Sequence, residues 1–406
     1  MGKLASPGVN RKSKIVNPVA STPPLPVPPP APARLWSLDA LRGVCALVVF
    51  LSHWHLWSHF PPEGAFAAGL HAVLTLLHDA VTLLTWPTGG NHPALIAFFV
   101  LSGFCIHYPF ERRTLAGEVP SGWRSYFRRR FFRIMPVYWA GCALGALFVA
   151  AEALRPSGDP LLQLHATASA EDFLVRVAGI GAAYPKEIFA GNYILFTVAT
   201  EIGMYALYPA FHHFARRGHW AALGGVFLIA QLAAVVVLLP RANPFWVFNS
   251  VFMVGIFWYL GALAAHLFLA RRLRVSAFSL LLIWAVFLAL KALPPFYGLN
   301  LLKQAVWGLV CMLGILYAVQ REREGRMTTA HTRLGTKLQW CGDFSYSLYA
   351  LHTPAIMLGT WALHQLGHGA YLTQLVITFA GSVLVTLGVH YGIERRFYAP
   401  RAVSGS

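Results

Sequence analysis

Two side chains able to do chemistry share one apolar stretch. Within residues 38–54 an arginine, Arg42, and a histidine, His53, stand eleven positions apart. On an α-helix turning ~100° per residue, eleven steps bring them to within ~20° of each other, ~16 Å apart along the axis. One helix face therefore presents a permanent cation and an imidazole. Neutral histidine, with an unperturbed pKa of ~6.5, suits a general base. A guanidinium keeps its proton, and its fork of donors suits phosphate. Asp39, three residues before Arg42, is a supporting polar group. Ionisable groups in an apolar span are costly and mark functional paths. The competing reading has Arg42 snorkelling to headgroups and His53 hydrogen-bonded inside a bundle. His55 and His59 read as structural.

Further groups of the same kind lie downstream. The run 128–133 holds Arg128, Arg129, Arg130 and Arg133. Arg130 and Arg133, three apart, share a helical face and are candidate phosphate ligands, with Arg129 beside them. Against this, such a cluster can serve anionic lipids alone. Glu201 is a carboxylate in an apolar segment and needs a partner, for which His53 or Arg42 is the natural choice; Tyr205 follows one turn later. Tyr346 and Tyr349 share a face leading to His352, Pro354 loosens the ladder there, and Asp343 is a candidate N-cap. Ser102, next to Gly103, lacks the GxSxG elbow of a nucleophile and reads better as a small residue at a helix contact. The five cysteines form no CxxC pair, so neither a disulfide framework nor a zinc site is expected. No metal and no bound cofactor are called for.

These residues must be positioned by membrane helices. The chain has 406 residues, 57% hydrophobic and 12% charged, with a mean hydropathy of +0.55. Soluble domains carry about 25% charged residues. The expected fold is all-α: a polytopic bundle of about ten spans near 36–57, 94–110, 134–154, 190–213, 220–239, 244–269, 276–292, 298–319, 343–363 and 370–393. The stretch 65–86 is expected as an outer amphipathic or re-entrant helix. With this topology 25 of the 32 Lys and Arg fall on one side. Only Arg155, Arg176, Lys186, Arg241 and Lys291 fall on the other, while Arg42 and Lys303 lie within spans. That asymmetry makes the crowded side cytoplasmic and puts both termini there. The net charge of +17 is spread between spans and forms no basic domain, which argues against a nucleic-acid partner. Residues 1–34 read as a disordered Pro-rich cytoplasmic tail, 35–397 as the membrane domain and 398–406 as a short cytoplasmic tail. Neither a cleavable signal peptide nor a soluble catalytic domain is expected.

The motifs together resemble the acyltransferase 3 family of bacterial integral-membrane O-acyltransferases. The likeness rests on LDALRG with His53, FFVLSGF at 98–104, RRRFFRIMPVYW at 128–139, TEIGMYALYP at 200–209 and DFSYSLYALHTP at 343–354. The resemblance implies a multi-pass protein of the bacterial inner membrane. It would move an acyl group, often acetyl from acetyl-CoA, to a hydroxyl of a cell-surface polysaccharide or glycolipid. On that likeness Arg42 and His53 are the essential pair, Arg129, Arg130 and Arg133 the acyl-CoA loop, and Glu201 the span-four glutamate. Ser102, Tyr205, Tyr346, His352 and Asp39 would support them. Two departures stand out: Phe196-Thr197-Val198-Ala199-Thr200 replaces the family's usual Trp-Ser-Leu-Ser, and Glu394-Arg395-Arg396 lacks the usual proline. Two alternatives stay open. The same polar groups could serve proton-coupled transport or flipping of a glycan or lipid, and the acceptor could be a lipid headgroup or small glycoside.

Overall fold

Apolar chain in a bilayer must satisfy its backbone internally, and helices do so within one segment. The computed structural model describes residues 35–56, 60–87, 91–118, 122–294, 297–327 and 333–398. His59, the tail 1–34 and residues 399–406 lie outside them. The described residues form helices and connections, with no strand among them. In order these are α1 (Trp36–Leu56), α2 (Gly64–Thr85), α3 (Pro93–Leu115), α4 (Trp123–Leu154), α5 (Pro160–Ala166), α6 (Ala170–Ala178), α7 (Leu195–Ala215) and α8 (Trp220–Ala233). Then follow α9 (Pro244–Asn249), α10 (Val251–Leu269), α11 (Ala277–Lys291), α12 (Tyr297–Arg323), α13 (Arg333–Asp343), α14 (Ser345–Gln365), α15 (Tyr371–Val389) and α16 (Arg395–Tyr398).

Eight helical stretches among the described residues are long and apolar enough to cross a membrane, and the protein is a multi-pass membrane protein. Helices α7 and α14 fall short in hydropathy, not length. Each has 21 residues, ~31 Å at 1.5 Å per residue. Their apolar character is diluted by Thr197, Thr200 and Glu201 in one and by Ser345, Ser347, His352 and Thr353 in the other. These are the polar groups the bundle interior uses. With the 15-residue α11, each of the ten expected crossings has its helix.

Helix α2 is also long enough to cross, but its contacts run sideways. Ala67 packs on Tyr371 and Leu375 at the start of α15. Thr75 bonds His55 near the end of α1 at 3.2 Å. Lys291, ending α11, donates to the carbonyls of Thr82 and Leu83. All three partners lie at ends that the charge asymmetry assigns to the outer side. These contacts set helix α2 against the outer ends of α1, α11 and α15.

Small residues set the closest helix contacts. A Cβ added to Gly103 would stand 1.9 Å from the Trp258 carbonyl oxygen, and one added to Gly261 would stand 1.8 Å from that of Val100. The α3–α10 crossing thus has no room for a methyl group on either side, the arrangement membrane helices use to bring backbones together. Likewise Gly342 of α13 meets the Asp39 carbonyl, where a Cβ would approach to 2.1 Å. The glycine of the motif at 98–104 is thus explained by packing. Replacing Gly261 by valine is expected to lower stability by at least ~1–3 kcal/mol through overpacking; an unchanged thermal midpoint in detergent would contradict this crossing.

Prolines free carbonyls that other helices then occupy. Pro354 cannot donate to the carbonyl four residues earlier, and Asn192 Nδ2 donates to that Ala350 oxygen at 2.9 Å. The same amide donates to the Gly141 oxygen at 3.1 Å. One side chain therefore seats the approach to α7 against α4 and α14. Pro209 frees the Tyr205 carbonyl in the same way, and Tyr126 OH donates to it at 3.3 Å. Lys303, fully buried, donates to the Leu293 carbonyl at 3.1 Å. It thereby meets the negative end of α11. One local expectation is corrected: Asp343 closes α13, and the N-cap of α14 is Phe344, which makes no side-chain cap bond.

Candidate functional site

Two cavities lie back to back along α1. The inner one, with about 880 Å³ of empty space, is lined by Arg42, Arg130, Arg133, Ser102, Glu201, Tyr205 and Tyr346 among others. The outer one, with about 920 Å³, is lined by His53, Trp86, Asn91, His92, Tyr193, Phe196, Phe245 and Asn249. Leu95 and Tyr349 line both. The α1 stripe thus has its arginine in one cavity and its histidine in the other.

The inner cavity carries its charge on α1 and α4. Arg42 is paired with Asp39 on the turn below it, and that turn is seated by Gly342. Arg130 lies over the ring of Tyr205, 5.4 Å from its centroid. Arg133 lies one turn further along the same face. Arg129 behaves differently: it is exposed, bonds Ser125 and does not line the cavity. The three-residue spacing thus picks the inward pair from the basic run, and Arg129 falls outside it. Glu201 receives the Ser102 hydroxyl at 2.6 Å and the hydroxyl of Tyr205. Its carboxylate is thus satisfied by neutral donors and does not pair with His53 or Arg42 as the sequence suggests. Tyr346 OH donates to the Ile134 carbonyl at 2.9 Å, fixing α14 to α4.

The partner of His53 is His352. Nδ1 of His53 stands 2.8 Å from Nε2 of His352, and the rings stack at 5.1 Å. Nδ1 of His352 is 2.9 Å from the Leu348 carbonyl, which can only accept. A neutral His352 therefore carries its proton on Nδ1 and offers Nε2 as acceptor. His53 must then donate from its own Nδ1, leaving the lone pair on its Nε2. Tyr193 OH stands 3.4 Å from that nitrogen. A chain of two imidazoles ending on a backbone carbonyl thus fixes which His53 nitrogen can take up a proton.

Several lining residues carried no signal in the sequence. Tyr193, His92 and Asn91 come from connections, where no periodicity marks an inward face. Tyr349 shares the α14 face of Tyr346, so its heptad-like spacing does point inward. Its hydroxyl lies 2.7 Å from that of Thr197. Of the two hydroxyls at the departure from the family pattern, Thr197 lines the inner cavity, while Thr200 is turned to the Asn249 carbonyl at 2.7 Å. Among the described residues, no cluster of His, Cys, Asp or Glu is placed to hold a metal ion.

An acyltransferase-domain family profile, acyltransferase 3, matches residues 35–391, nearly all of the helical region. No curated protein and no solved structure matches the chain. The family match and the bundle agree in extent and kind: the chain belongs to the acyltransferase 3 family and is a multi-pass membrane acyltransferase.

Proposed function

We propose that this protein moves an acyl group, acetyl in the simplest case, from acyl-CoA on the cytoplasmic side to a hydroxyl of a cell-surface polysaccharide or glycolipid on the other side. Its place would be the bacterial cytoplasmic membrane. The observation that carries this reading is the pair of cavities sharing Leu95 and Tyr349, with guanidinium groups in one and the oriented His53 in the other. Arg42, Arg130 and Arg133 have the chemistry to hold the phosphates of CoA. Aromatic and amide groups around His53 suit a sugar, which presents both C–H faces and hydroxyls.

The reaction then follows from the tautomers. Nε2 of His53 accepts the proton of the acceptor hydroxyl as its oxygen attacks the thioester carbonyl carbon. The C–S bond breaks, and CoA leaves as a thiolate. Thiols have a pKa of ~8.5, so this departure needs little acid help. The imidazolium returns the proton to the thiolate. While His53 is charged, its Nδ1–H bond to His352 becomes charge-assisted and stronger. His352 therefore fills the orienting role that a carboxylate plays in a hydrolase triad, and Glu201 serves to hold Ser102 and Tyr205 at the donor side.

The direct test is transfer of label from radiolabelled acetyl-CoA to a panel of glycan and glycolipid acceptors by the purified protein. Labelled, base-labile ester on an acceptor is expected. No transfer to any acceptor, alongside glycan counterflow in liposomes, would favour transport instead. The phosphate role has its own check. Replacing Arg133 by glutamine removes a charge-assisted contact of ~1.5–3 kcal/mol, so KM for acetyl-CoA is expected to rise about 10–100-fold. An unchanged KM would count against it.

A further inference from the structure

A buried arginine beside the outer cavity has no use in the scheme above. Arg176, on α6, is 4% exposed. Its own carbonyl accepts the Tyr138 hydroxyl at 2.6 Å, which already anchors this part of the connection to α4. Of the guanidinium's donors, Nη2 reaches the Ile188 carbonyl at 2.5 Å, while Nε is buried and has no hydrogen-bond partner among the described residues. No carboxylate among the described residues comes within ion-pair distance. Asp172, one turn back, is turned to the backbone and hydroxyl of Ser169, at 2.8 Å each. Glu187 is bonded to Asn243. A buried cation left without a counter-charge is strongly destabilising, so the site is electrostatically incomplete.

Arg176 also borders space. Arg176 and Lys186 line a small cavity of about 340 Å³. Its other walls include Phe196, Phe245 and Asn249, which also line the His53 cavity. The small cavity therefore adjoins the outer one across these three residues. Lys186 stands at its exposed rim, held by Tyr184 OH at 2.8 Å and Glu171 at 3.4 Å.

We propose that this adjoining cavity is an anion subsite: Arg176, with Lys186 at the rim, binds a carboxylate or phosphoryl group of the acceptor. The neighbouring sugar then lies in the main outer cavity, with a hydroxyl toward His53. A guanidinium with a donor still to be satisfied suits an oxygen of such a group. The subsite rests on the acceptor entering the outer cavity. It deepens that reading by making the acceptor anionic, through either an acidic sugar or the phosphate of a lipid carrier.

The test uses the full-length protein in detergent and measures equilibrium binding, so it does not depend on turnover. Two matched pairs of probes separate the sources: methyl glucuronide against methyl glucoside, and farnesyl diphosphate against farnesol. At least one anionic probe is expected to bind the native protein tenfold or more tightly than its neutral counterpart, and the pair that shows this names the source. Arg176→Gln is expected to remove the preference, and Arg176→Lys to retain part of it. Equal binding within both pairs by the native protein would overturn the subsite, whatever the variants do. A preference that survives in Arg176→Gln would overturn the assignment to Arg176. Transfer of acetyl to neutral acceptors is read separately. If the native protein prefers the anion yet transfers nothing, the subsite stands and the acyl-transfer reading fails. If it transfers acetyl with no charge preference, the subsite alone fails.

Discussion

Replacing His53 by alanine is expected to lower acyl transfer by at least about 10²–10⁴-fold, the usual contribution of a positioned general base. The loss should appear in kcat, with acyl-CoA affinity close to native, because the arginines proposed to hold the donor line the other cavity. The reason is geometric as well as chemical. With Nδ1 bonded to His352, Nε2 is the nitrogen left to take up a proton, and it faces the outer cavity. Glutamine at this position keeps a polar group of similar reach but no base, so it should fare little better than alanine. Single-turnover measurement with saturating acetyl-CoA separates the chemical step from binding. An alanine variant that retains most of the native rate would remove His53 from the reaction.

The second large effect is expected at His352, which has no solvent exposure. Leucine there fills comparable space but deletes the acceptor for the His53 Nδ1–H. The imidazole is then free to turn or to adopt the other tautomer, which places its proton on the nitrogen that should accept. Loss of the orienting partner in a hydrolase triad lowers kcat by ~10⁴, and a loss of 10²-fold or more is expected here. Glutamine, whose amide oxygen can accept the same hydrogen bond, should restore part of the rate. That rescue distinguishes positioning from packing: equal losses in the leucine and glutamine variants would make His352 a structural residue only.

How far the sequence could be read depended on whether a feature was periodic. Helical spacing joined Arg42 with His53 and Arg130 with Arg133, whereas Arg129, grouped with the latter pair on the family likeness, is exposed and outside the cavity. The Lys and Arg asymmetry set the expected orientation of the bundle and left α2 out of the ten expected spans, although its length and hydropathy alone allow a crossing. What periodicity cannot give is which stripe meets which. Glu201 was the obvious partner for His53 by charge. In the folded bundle, Ser102 and Tyr205 reach that carboxylate first, and His352 from α14 takes the place beside His53. The pairing spans 299 positions in sequence and follows from how α1 and α14 pack. The outer cavity was the least legible part. Much of its wall comes from Trp86, Asn91 and His92, from Tyr193 and Ile194 just ahead of α7, and from α9, whose side chains are aimed by tertiary contacts. Asn192, bound to carbonyls on two helices, is an example of a residue whose role appears only when Pro354 and Gly141 are seen beside it.

The central claim is that donor and acceptor enter from opposite sides and meet where the two cavities adjoin, at Leu95 and Tyr349. Reconstitution in sealed liposomes with a single protein orientation tests it most directly. Acetyl-CoA is supplied on the face carrying the Arg130 and Arg133 end, and a membrane-impermeant glycan acceptor on the other. The account predicts acetylated acceptor in this arrangement. It predicts none when both substrates are confined to the acceptor side, because the donor then has no access to the arginine-lined cavity. Acetylation that proceeds equally well with both substrates on the acceptor side would contradict a two-sided site.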